Sequence, residues 1–440
     1  MPILVLGLAL LLHSSGPALR DPSPCPGVTG YTCSTLEVPL DRTGRRKGTL
    51  RLRVGAADNV NAPRGVLLVL AGGPGQPGLP ILDRFVDTAL AAEKRTYRIV
   101  VFDQRGTGAG ALDCEAMQLQ MGASDLYPPT AAAVRACAAK IGARRQYYGT
   151  DDVVADIDAL RRALGVGKIA LDGISYGTYV GERYALAHPT HVSKLVLDSV
   201  VPHVGLSDLG VVEFRATARV LRGVCGRQCV DDLAVVVKRY HDGVDLLDAL
   251  TTDSIVDPTY RGYFDVPLAL RSARNGAPGL LESFIVSMHS GGAAPADALD
   301  QGLHASTLCA DWRYPWGASS APLAGRVAAL NRAIAKLAAS ALFPFDRKTA
   351  AGNGFIRQCL PWAPTPPTPV DGRKITVPAL LVNGDHDLST PLEWARQELA
   401  RTTRGKLVVV PGAGHSTQSR SVSDVSRNSV AAFLLDKVGG

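Results

Sequence analysis

The chain has 440 residues, enough to bury one large core that carries a sizeable insertion. Its net charge of +7 comes from 47 basic and 40 acidic residues. The basic residues are dispersed, with the densest groups at 42–47 and 144–145, so the charge indicates a solvated basic surface and argues against a nucleic-acid-binding stripe.

The N-terminus begins with an apolar run at residues 3–12 that is too short to span a bilayer comfortably and is followed by small residues. This pattern is typical of a signal-peptide core, so we predict a signal peptide over residues 1–18 and a secreted or envelope location. The segment before the run has no Lys or Arg, which leaves a disordered or buried N-terminal segment as the alternative. No later segment is long and apolar enough to predict a membrane-spanning helix.

Eight cysteines, an even number, favour an exported and oxidised protein with disulfide bonds. Short loops close with less entropy loss than long ones, so proximity favours four pairs, although the sequence does not fix the connectivity. These pairs are Cys25 with Cys33, Cys114 with Cys137, Cys225 with Cys229, and Cys309 with Cys359. Metal binding is the alternative, but the cysteines form no paired Cys-x-x-Cys knuckles and no histidine cluster accompanies them.

Eight strands are predicted along the chain. Residues 34–40 and 48–54 alternate polar and apolar side chains around a turn, as in a hairpin at a sheet edge. Continuous apolar runs follow at 65–70, 97–102, 168–172, 194–198, 377–382 and 406–410. Unbroken apolar strands separated by helical stretches, of which 153–164 is the clearest, indicate a mostly parallel sheet covered on both faces.

The alternation of predicted strands and helices is interrupted between residues 202 and 373. We interpret this segment as a large, mainly helical cap inserted after the sixth strand, between a first core part at 19–201 and a second at 374–440. Candidate helices lie at 214–221, 233–240, 280–288 and 323–342. The proline-rich run at 361–369 is expected to be extended and to lead back into the sheet.

The pentapeptide at 173–177, Gly-Ile-Ser-Tyr-Gly, lies between the strand at 168–172 and a predicted helix at 178–187. This Gly-x-Ser-x-Gly pattern is typical of the nucleophile elbow of an α/β-hydrolase, a strained turn that lifts the Ser175 Oγ toward substrate. A bare match to the pattern is usually only a turn. The strand before it and the helix after it favour Ser175 as a nucleophile and an α/β-hydrolase fold.

A serine nucleophile needs a base and an orienting acid, and in this fold the chain order is Ser, acid, His. His415, in the Gly-rich loop after the eighth predicted strand, is the predicted base. Asp387 in the loop after the seventh is the predicted acid, and Asp385 is the second choice, with a local turn as its alternative role. A plain surface-loop histidine is the alternative interpretation of His415.

The oxyanion hole is predicted to use the backbone N–H of Tyr176 and that of Gly73 in the loop at 70–75 after the third predicted strand. Glycines let these amides approach a developing oxyanion without a Cβ in the way. A phosphate-binding loop is the alternative, but the Gly-x-x-x-x-Gly-Lys-Ser/Thr spacing is lacking.

Motifs at 72–75, 103–108, 173–178, 384–391 and 414–416 together resemble the prolyl aminopeptidase and tripeptidyl aminopeptidase family of α/β-hydrolases, in particular its secreted bacterial tripeptidyl aminopeptidases. Two features depart from the prolyl branch: Ala71 stands where those enzymes usually have His, and the predicted cap is larger and contains cysteines. We expect Asp103 and Arg105 to brace the loops around the site through a charge-assisted pair.

The resemblance implies a secreted serine exopeptidase that removes tripeptides or single residues from free N-termini through an acyl-enzyme. Such an enzyme needs an anion for the substrate ammonium, for which Asp311, Glu282 and Glu213 are the candidates; a solvated helix face is the alternative for each. A carboxylesterase or lipase on the same triad is the first alternative function, and a catalytically silent binding protein is the second. We expect peptide substrates, no metal, no organic cofactor and no nucleic acid.

Overall fold

The computed structural model describes residues 16–205 and 209–436. Within these residues, one nine-stranded sheet has the order β1-β2-β3-β5-β4-β6-β7-β8-β9. The strands are β1 (Leu19–Pro24), β2 (Tyr31–Pro39), β3 (Thr49–Ala57), β4 (Val66–Leu70), β5 (Arg98–Phe102), β6 (Ile169–Ile174), β7 (Val192–Asp198), β8 (Ala379–Gly384) and β9 (Gly405–Val410).

The pairing of the strands divides the sheet into two parts. The leading strands β1, β2 and β3 pair antiparallel, and β3 joins the rest through an antiparallel pairing with β5. The strands from β5 to β9 in the sheet order are all parallel to one another. Every residue of β4, β6 and β8 is buried, as expected for parallel strands with both faces covered. The predicted α/β-hydrolase fold class is confirmed.

The predicted strand count was wrong by one. The additional strand is β1, which pairs with β2 at the edge of the sheet. Its sequence, Leu-Arg-Asp-Pro-Ser-Pro, is almost wholly exposed and has no apolar alternation, so backbone pairing holds it and no side-chain pattern revealed it. Two prolines are tolerated there because an edge strand has an unpaired side. The helical segment therefore follows the seventh strand, not the sixth.

The remaining chain is mainly helical. The α-helices are α1 (Leu82–Arg84), α2 (Glu115–Met121), α3 (Ala131–Ile141), α4 (Thr150–Ala163), α5 (Tyr176–Ala187), α6 (Val211–Cys225), α7 (Arg227–Tyr240), α8 (Gly243–Val256), α9 (Val266–Arg274), α10 (Gly279–Gly291), α11 (Gln301–Asp311), α12 (Arg326–Ala335), α13 (Ala339–Leu342), α14 (Arg347–Gly352), α15 (Gly354–Cys359), α16 (Leu392–Leu399), α17 (Thr417–Arg420) and α18 (Val425–Leu435). No helix in the described ranges is long and apolar enough to cross a membrane.

The helices between β7 and β8 pack in two different ways. Helices α6 to α10 surround an apolar cluster of their own, which includes Phe214, Leu233 and Phe284. By contrast, Leu303, Leu308 and other buried residues of α11 and α15 belong to the cluster that covers the sheet. Every residue of α11 is buried, so this helix packs as part of the core that covers the sheet. The division at residues 202 and 373 remains a prediction.

All four disulfide pairs favoured by proximity are present. Cys25–Cys33 joins the edge strands, Cys114–Cys137 joins the start of α2 to α3, Cys225–Cys229 joins α6 to α7, and Cys309–Cys359 joins α11 to α15. No free cysteine occurs in the part of the chain that the structure describes. The predicted signal peptide, 1–18, lies outside the described residues except for its last three positions.

Candidate active site

Ser175 occupies the sharp turn between the end of β6 and the first residue of α5. Its backbone dihedrals are φ 56° and ψ −126°, a conformation that L-residues other than glycine rarely adopt. Gly177 makes the turn possible, because a Cβ there would lie 2.2 Å from the backbone oxygen of Leu70. The Ser175 N–H donates to the backbone oxygen of Asp198 at 2.9 Å. Strain of this kind at a partly exposed serine is the geometry of a nucleophile elbow.

The structure brings Asp387 and His415 together from the loops after β8 and β9. The His415 Nδ1 lies 3.0 Å from the Asp387 Oδ2. Asp387 is fully buried, and its Oδ1 accepts from the backbone N–H groups of Ser389 and Thr390, each at 2.9 Å. Its Oδ2 also accepts from the Thr390 hydroxyl at 2.7 Å. A carboxylate held this firmly fixes the His415 tautomer that carries the proton on Nδ1 and leaves Nε2 as an acceptor.

Asp385, the second choice for the acid, is placed elsewhere. Its Oδ1 accepts from the backbone N–H of Gly412 at 2.7 Å, across the loop that follows β9. Of the two aspartates, only Asp387 hydrogen-bonds to His415 among the described contacts. The side chain of Asp385 therefore braces the turn that precedes His415.

Asp198, at the end of β7, holds the His415 loop in register with Ser175. Its Oδ1 accepts from the Thr417 N–H at 2.9 Å and from the Thr417 hydroxyl at 2.8 Å, and its Oδ2 accepts from the Gln418 N–H at 2.8 Å. Its backbone oxygen is the one that binds the Ser175 N–H. One residue thus positions both loops, a role that sequence reasoning missed although a strand-end carboxylate was a visible signal.

Gly73 lies in the loop after β4, and Tyr176 directly follows Ser175 at the start of α5. Tyr176 is the first residue of α5, so its backbone N–H has no acceptor within the helix. Gly73 and Ser175 line the same cavity. Gly73 has φ +103°, and a Cβ there would lie 2.6 Å from the Gly75 nitrogen, so this loop requires glycine. The oxyanion-hole assignment remains a prediction.

The cavity that contains Ser175 and His415 has a volume of about 360 Å³. Loops from the sheet form one wall, and helices α8 and α10 form the other. The apolar side chains of the lining include Ile81, Phe85, Ile255 and Met288. Ser175 therefore lies in a partly open cavity whose size suits a short chain of atoms.

Two protein families match this sequence. The family described as "alpha/beta hydrolase fold" matches residues 65–215, which include the elbow and the glycine loop. The family described as "TAP-like protein" matches residues 345–437, which include Asp387 and His415. This chain has the α/β-hydrolase fold. The resemblance drawn from its motifs is confirmed by these matches.

Curated relatives of this α/β-hydrolase carry peptidase names. The tripeptidyl aminopeptidase of Streptomyces lividans is 31% identical over 188 residues, which cover 38% of this chain and 35% of the relative. Serine protease Hip1 of Mycobacterium tuberculosis is 28% identical over 205 residues, covering 43% of this chain and 38% of the relative. The proline iminopeptidase of Neisseria gonorrhoeae is 32% identical over 139 residues, covering 31% and 34%. The matches therefore span about a third of each relative.

Among solved structures, the proline iminopeptidase of Mycobacterium smegmatis is similar to this α/β-hydrolase. The sequence identity is 16% and the TM-score is 0.44, over 91% of this chain and 98% of that chain.

Asp311 does not contact the cavity, so its prediction as an ammonium anchor was wrong. It is 2% exposed on the buried helix α11. Its carboxylate accepts from the hydroxyl groups of Thr150, Tyr176 and Thr368. Burial raises the pKa of this carboxyl, and the hydrogen bonds oppose that rise. Asp311 holds the Tyr176 ring from inside the protein and is not available to a substrate.

The other two predicted anchors also lie away from Ser175. Glu213 is buried and lines a separate small cavity with Trp312 and Asn353. Glu282 is exposed in the first turn of α10. Neither contributes to the lining of the Ser175 cavity. Their helical patterns gave no information about which face would meet the nucleophile.

Two carboxylates that the sequence did not single out do line the cavity: Asp125, which precedes α3, and Asp248 on α8. Asp248 is 4% exposed, and its Oδ1 accepts from the Ser124 hydroxyl. Burial, followed in smaller part by the neighbouring Asp125 charge, raises the pKa of Asp248 to about 7. Asp125 is partly exposed and contacts the His304 Nε2 at 2.9 Å.

Asp103 and Arg105 brace the loops separately, not as the predicted pair. Arg105 is fully buried and forms a bidentate pair with Asp156 on α4, with both N···O distances at 2.7 Å. Asp103 accepts from the Leu79 N–H at 2.9 Å. The two side chains that follow β5 thus point to different partners, one on α4 and one in the loop after β4.

The pH dependence of acylation tests the His415 environment. Burial disfavours the charged imidazolium, but the Asp387 charge and hydrogen bond outweigh it, so the pKa of His415 lies above its ordinary value of about 6.5. A general base must be neutral, so kcat/KM for a short-chain aryl ester should rise with pH, with a midpoint above 6.5. Asp387→Asn removes the charge that raises this pKa and should move the midpoint downward. A wild-type midpoint below 6.5 would contradict the assignment.

Proposed function

We propose that this α/β-hydrolase is a secreted serine exopeptidase that hydrolyses short peptides, as tripeptides or single residues, from free N-termini. The observation that carries the proposal is the joint lining of one cavity by Ser175, His415 and the carboxylates Asp125 and Asp248. Ser175 would act as the nucleophile of the hydrolysis, and Asp125 and Asp248 would select substrates that carry a positively charged group. The names of the relatives, which include aminopeptidases, favour the same function.

The proposed chemistry follows from the geometry around His415. Its Nε2 accepts the Ser175 proton as Oγ attacks the scissile carbonyl, while Asp387 stabilises the imidazolium that forms. The Gly73 and Tyr176 N–H groups bind the oxyanion. His415 then donates the proton to the leaving amine, and a water molecule, activated by the same histidine, hydrolyses the acyl-enzyme. No metal or organic cofactor takes part in these steps.

The carboxylates explain why a free amine would be preferred. A substrate ammonium placed beside Asp248 and Asp125 favours the ionised form of Asp248 and forms charge-assisted hydrogen bonds with both carboxylates. An acetylated N-terminus lacks that charge and leaves the buried Asp248 carboxylate without this partner. The cavity also has Arg84 and Arg420 in its lining, which provide partners for an anionic group. A short peptide with both ends free carries both charges.

The anchor role predicts a loss that is specific to free amines. Asp248→Asn should lower kcat/KM for a free tripeptide anilide about 10- to 100-fold, the cost of a lost charged hydrogen bond, and leave the N-acetyl tripeptide anilide within about twofold. Asp125→Asn should act in the same direction. Because the pKa of Asp248 is about 7, KM for the free amine should fall as pH rises through 7 and the carboxyl ionises.

Asp245→Asn is the matched control, because Asp245 lies on the same helix three residues earlier and does not line the cavity. This variant should leave kcat/KM for both the free and the N-acetyl tripeptide anilide close to the wild-type values. Equal losses on free and acetylated substrates with Asp248→Asn would contradict the anchor role and indicate a general effect on folding.

A carboxylesterase or lipase on the same triad is the second candidate. The apolar side chains of the cavity lining, among them Phe85, Ile255 and Met288, favour it because they would bind an acyl chain. Turnover of short-chain aryl esters without any gain from a free amine would support this function. We place the exopeptidase first because two carboxylates, one of them buried, do not help to bind an apolar acyl group.

Secretion is part of the proposal. Four disulfides are rare in proteins of a reducing compartment and common in exported ones. Peptide substrates outside the membrane would then be the natural partners. Fractionation of cells that express the full chain, with detection of the mature N-terminus, tests this part independently of activity.

A further inference from the structure

A second group of chemistry-bearing side chains lies behind the nucleophile helix, apart from the Ser175 cavity. It consists of Glu182 on α5, His203 in the segment after β7, and Glu398 on α16. All three are 0% exposed. Each offers a ligand atom, and these atoms lie within 4.8 Å of one another. None of the three lines the Ser175 cavity.

The hydrogen bonds of this group are incomplete. The His203 Nδ1 lies 2.6 Å from the Glu398 Oε1, and the His203 backbone N–H donates to the Glu398 Oε2 at 3.2 Å. In contrast, both carboxylate oxygens of Glu182 and the Nε2 of His203 have no hydrogen-bond partner among the described residues. Buried polar atoms without partners are rare in native proteins, and three of them converge here.

The charges of the group are also unbalanced. Two carboxylates lie in the interior, and within the described ranges no Lys or Arg forms an ion pair with either of them. An isolated buried carboxylate costs several kcal/mol unless a positive partner compensates it. His203 supplies at most one positive charge for two negative ones. A cationic occupant is therefore required, either protons or a metal ion.

We propose that Glu182, His203 and Glu398 bind one divalent transition-metal ion of the zinc type. When His203 is neutral, the 2+ charge of the ion balances the two negative charges of Glu182 and Glu398. The Glu398 carboxylate holds the His203 Nδ1, which leaves the unpartnered Nε2 as the ligand atom of the histidine, and Glu398 also lies within ligand distance of the same point. An imidazole among the ligands favours zinc-type ions over Mg²⁺ and Ca²⁺, which prefer oxygen alone.

The position of the site indicates a structural role. Helix α5 begins directly after Ser175, and α16 begins shortly after the loop that carries Asp387. A metal ion between Glu182 and Glu398 would tie these two helices together, with His203 joining the end of β7. It would thus fix the distance between the nucleophile and acid loops without contacting substrate.

The test is metal analysis of the full chain, without a histidine tag, purified from Zn²⁺-supplemented medium and gel-filtered without chelator. The wild type should carry about one zinc per chain, and Glu182→Gln should carry less than a tenth of that. Growth with Co²⁺ should give the wild type the visible d–d absorption of a mixed nitrogen and oxygen site, which serves as a readout even if the variant does not fold.

Asp158→Asn is the control, because Asp158, His188 and His191 form the other group of potential ligands in the described residues, partly exposed. It should retain the zinc. The proposal is overturned if the wild type holds no metal and EDTA leaves its melting temperature unchanged, since protons would then compensate the carboxylates. Full zinc retention by Glu182→Gln, or zinc loss only in Asp158→Asn, would also overturn it.

Discussion

Replacing Ser175 with alanine should lower kcat for a peptide anilide by about 10⁶-fold, the loss seen when a serine nucleophile is removed from a triad. The reason is that Ser175 Oγ forms the acyl-enzyme, and no other group in the elbow replaces that bond. Covalent labelling with a fluorophosphonate probe identifies the nucleophilic serine directly. The wild type should be labelled at one serine, and Ser175→Ala should not be labelled.

Ser389→Ala is a suitable control for this experiment. Ser389 also lines the cavity, but it contributes only its backbone N–H to Asp387, so its hydroxyl should be dispensable. The variant should be labelled and active like the wild type. Labelling that persists in Ser175→Ala and disappears in another serine variant would show that the elbow is not the nucleophile.

The second large effect is expected at Asp387. Asp387→Asn should lower kcat on the order of 10⁴-fold with little change in KM, because the amide cannot hold the His415 tautomer that accepts a proton at Nε2. The buried contact between the Asp387 Oδ2 and the His415 Nδ1 at 3.0 Å is the feature being removed. Steady-state kinetics on the aryl ester and the peptide anilide should show the same loss.

Asp385→Asn gives the matched comparison two residues away. It weakens one hydrogen bond to the Gly412 N–H and leaves the His415 contact intact, so kcat should stay within about tenfold of the wild type. If Asp385→Asn were the more damaging substitution, the acid of the triad would have to be reassigned.

Much of the fold followed from local patterns. The buried parallel strands are short apolar runs, so β4, β5 and β6 were predicted almost to the residue. Strand β1 was missed because an exposed edge strand is held by backbone pairing, which leaves no hydrophobic alternation. The predicted helix at 323–342 is two helices, α12 and α13, because residues 336–338 break the helical hydrogen bonding.

The three triad residues could be predicted because each lies in a loop with a recognisable motif. Each loop also follows a strand of the sheet, and the ends of these parallel strands meet at one edge. The anchor was not predictable in the same way. Asp311 lies on a helix buried on all sides, whereas Asp125 and Asp248 come from segments without any motif, and tertiary packing alone brings them to the cavity. The Glu182, His203 and Glu398 group is equally invisible in sequence, since its members lie on separate elements.

The measurement that tests the central claim most directly is the ratio of kcat/KM for a free tripeptide anilide to that for its N-acetyl form, with purified mature protein. The proposed exopeptidase should give a ratio of at least about 100, corresponding to two charged hydrogen bonds, and both activities should vanish in Ser175→Ala. A ratio near one, with equal or better turnover of aryl esters, would contradict selection for free N-termini and leave a general serine hydrolase.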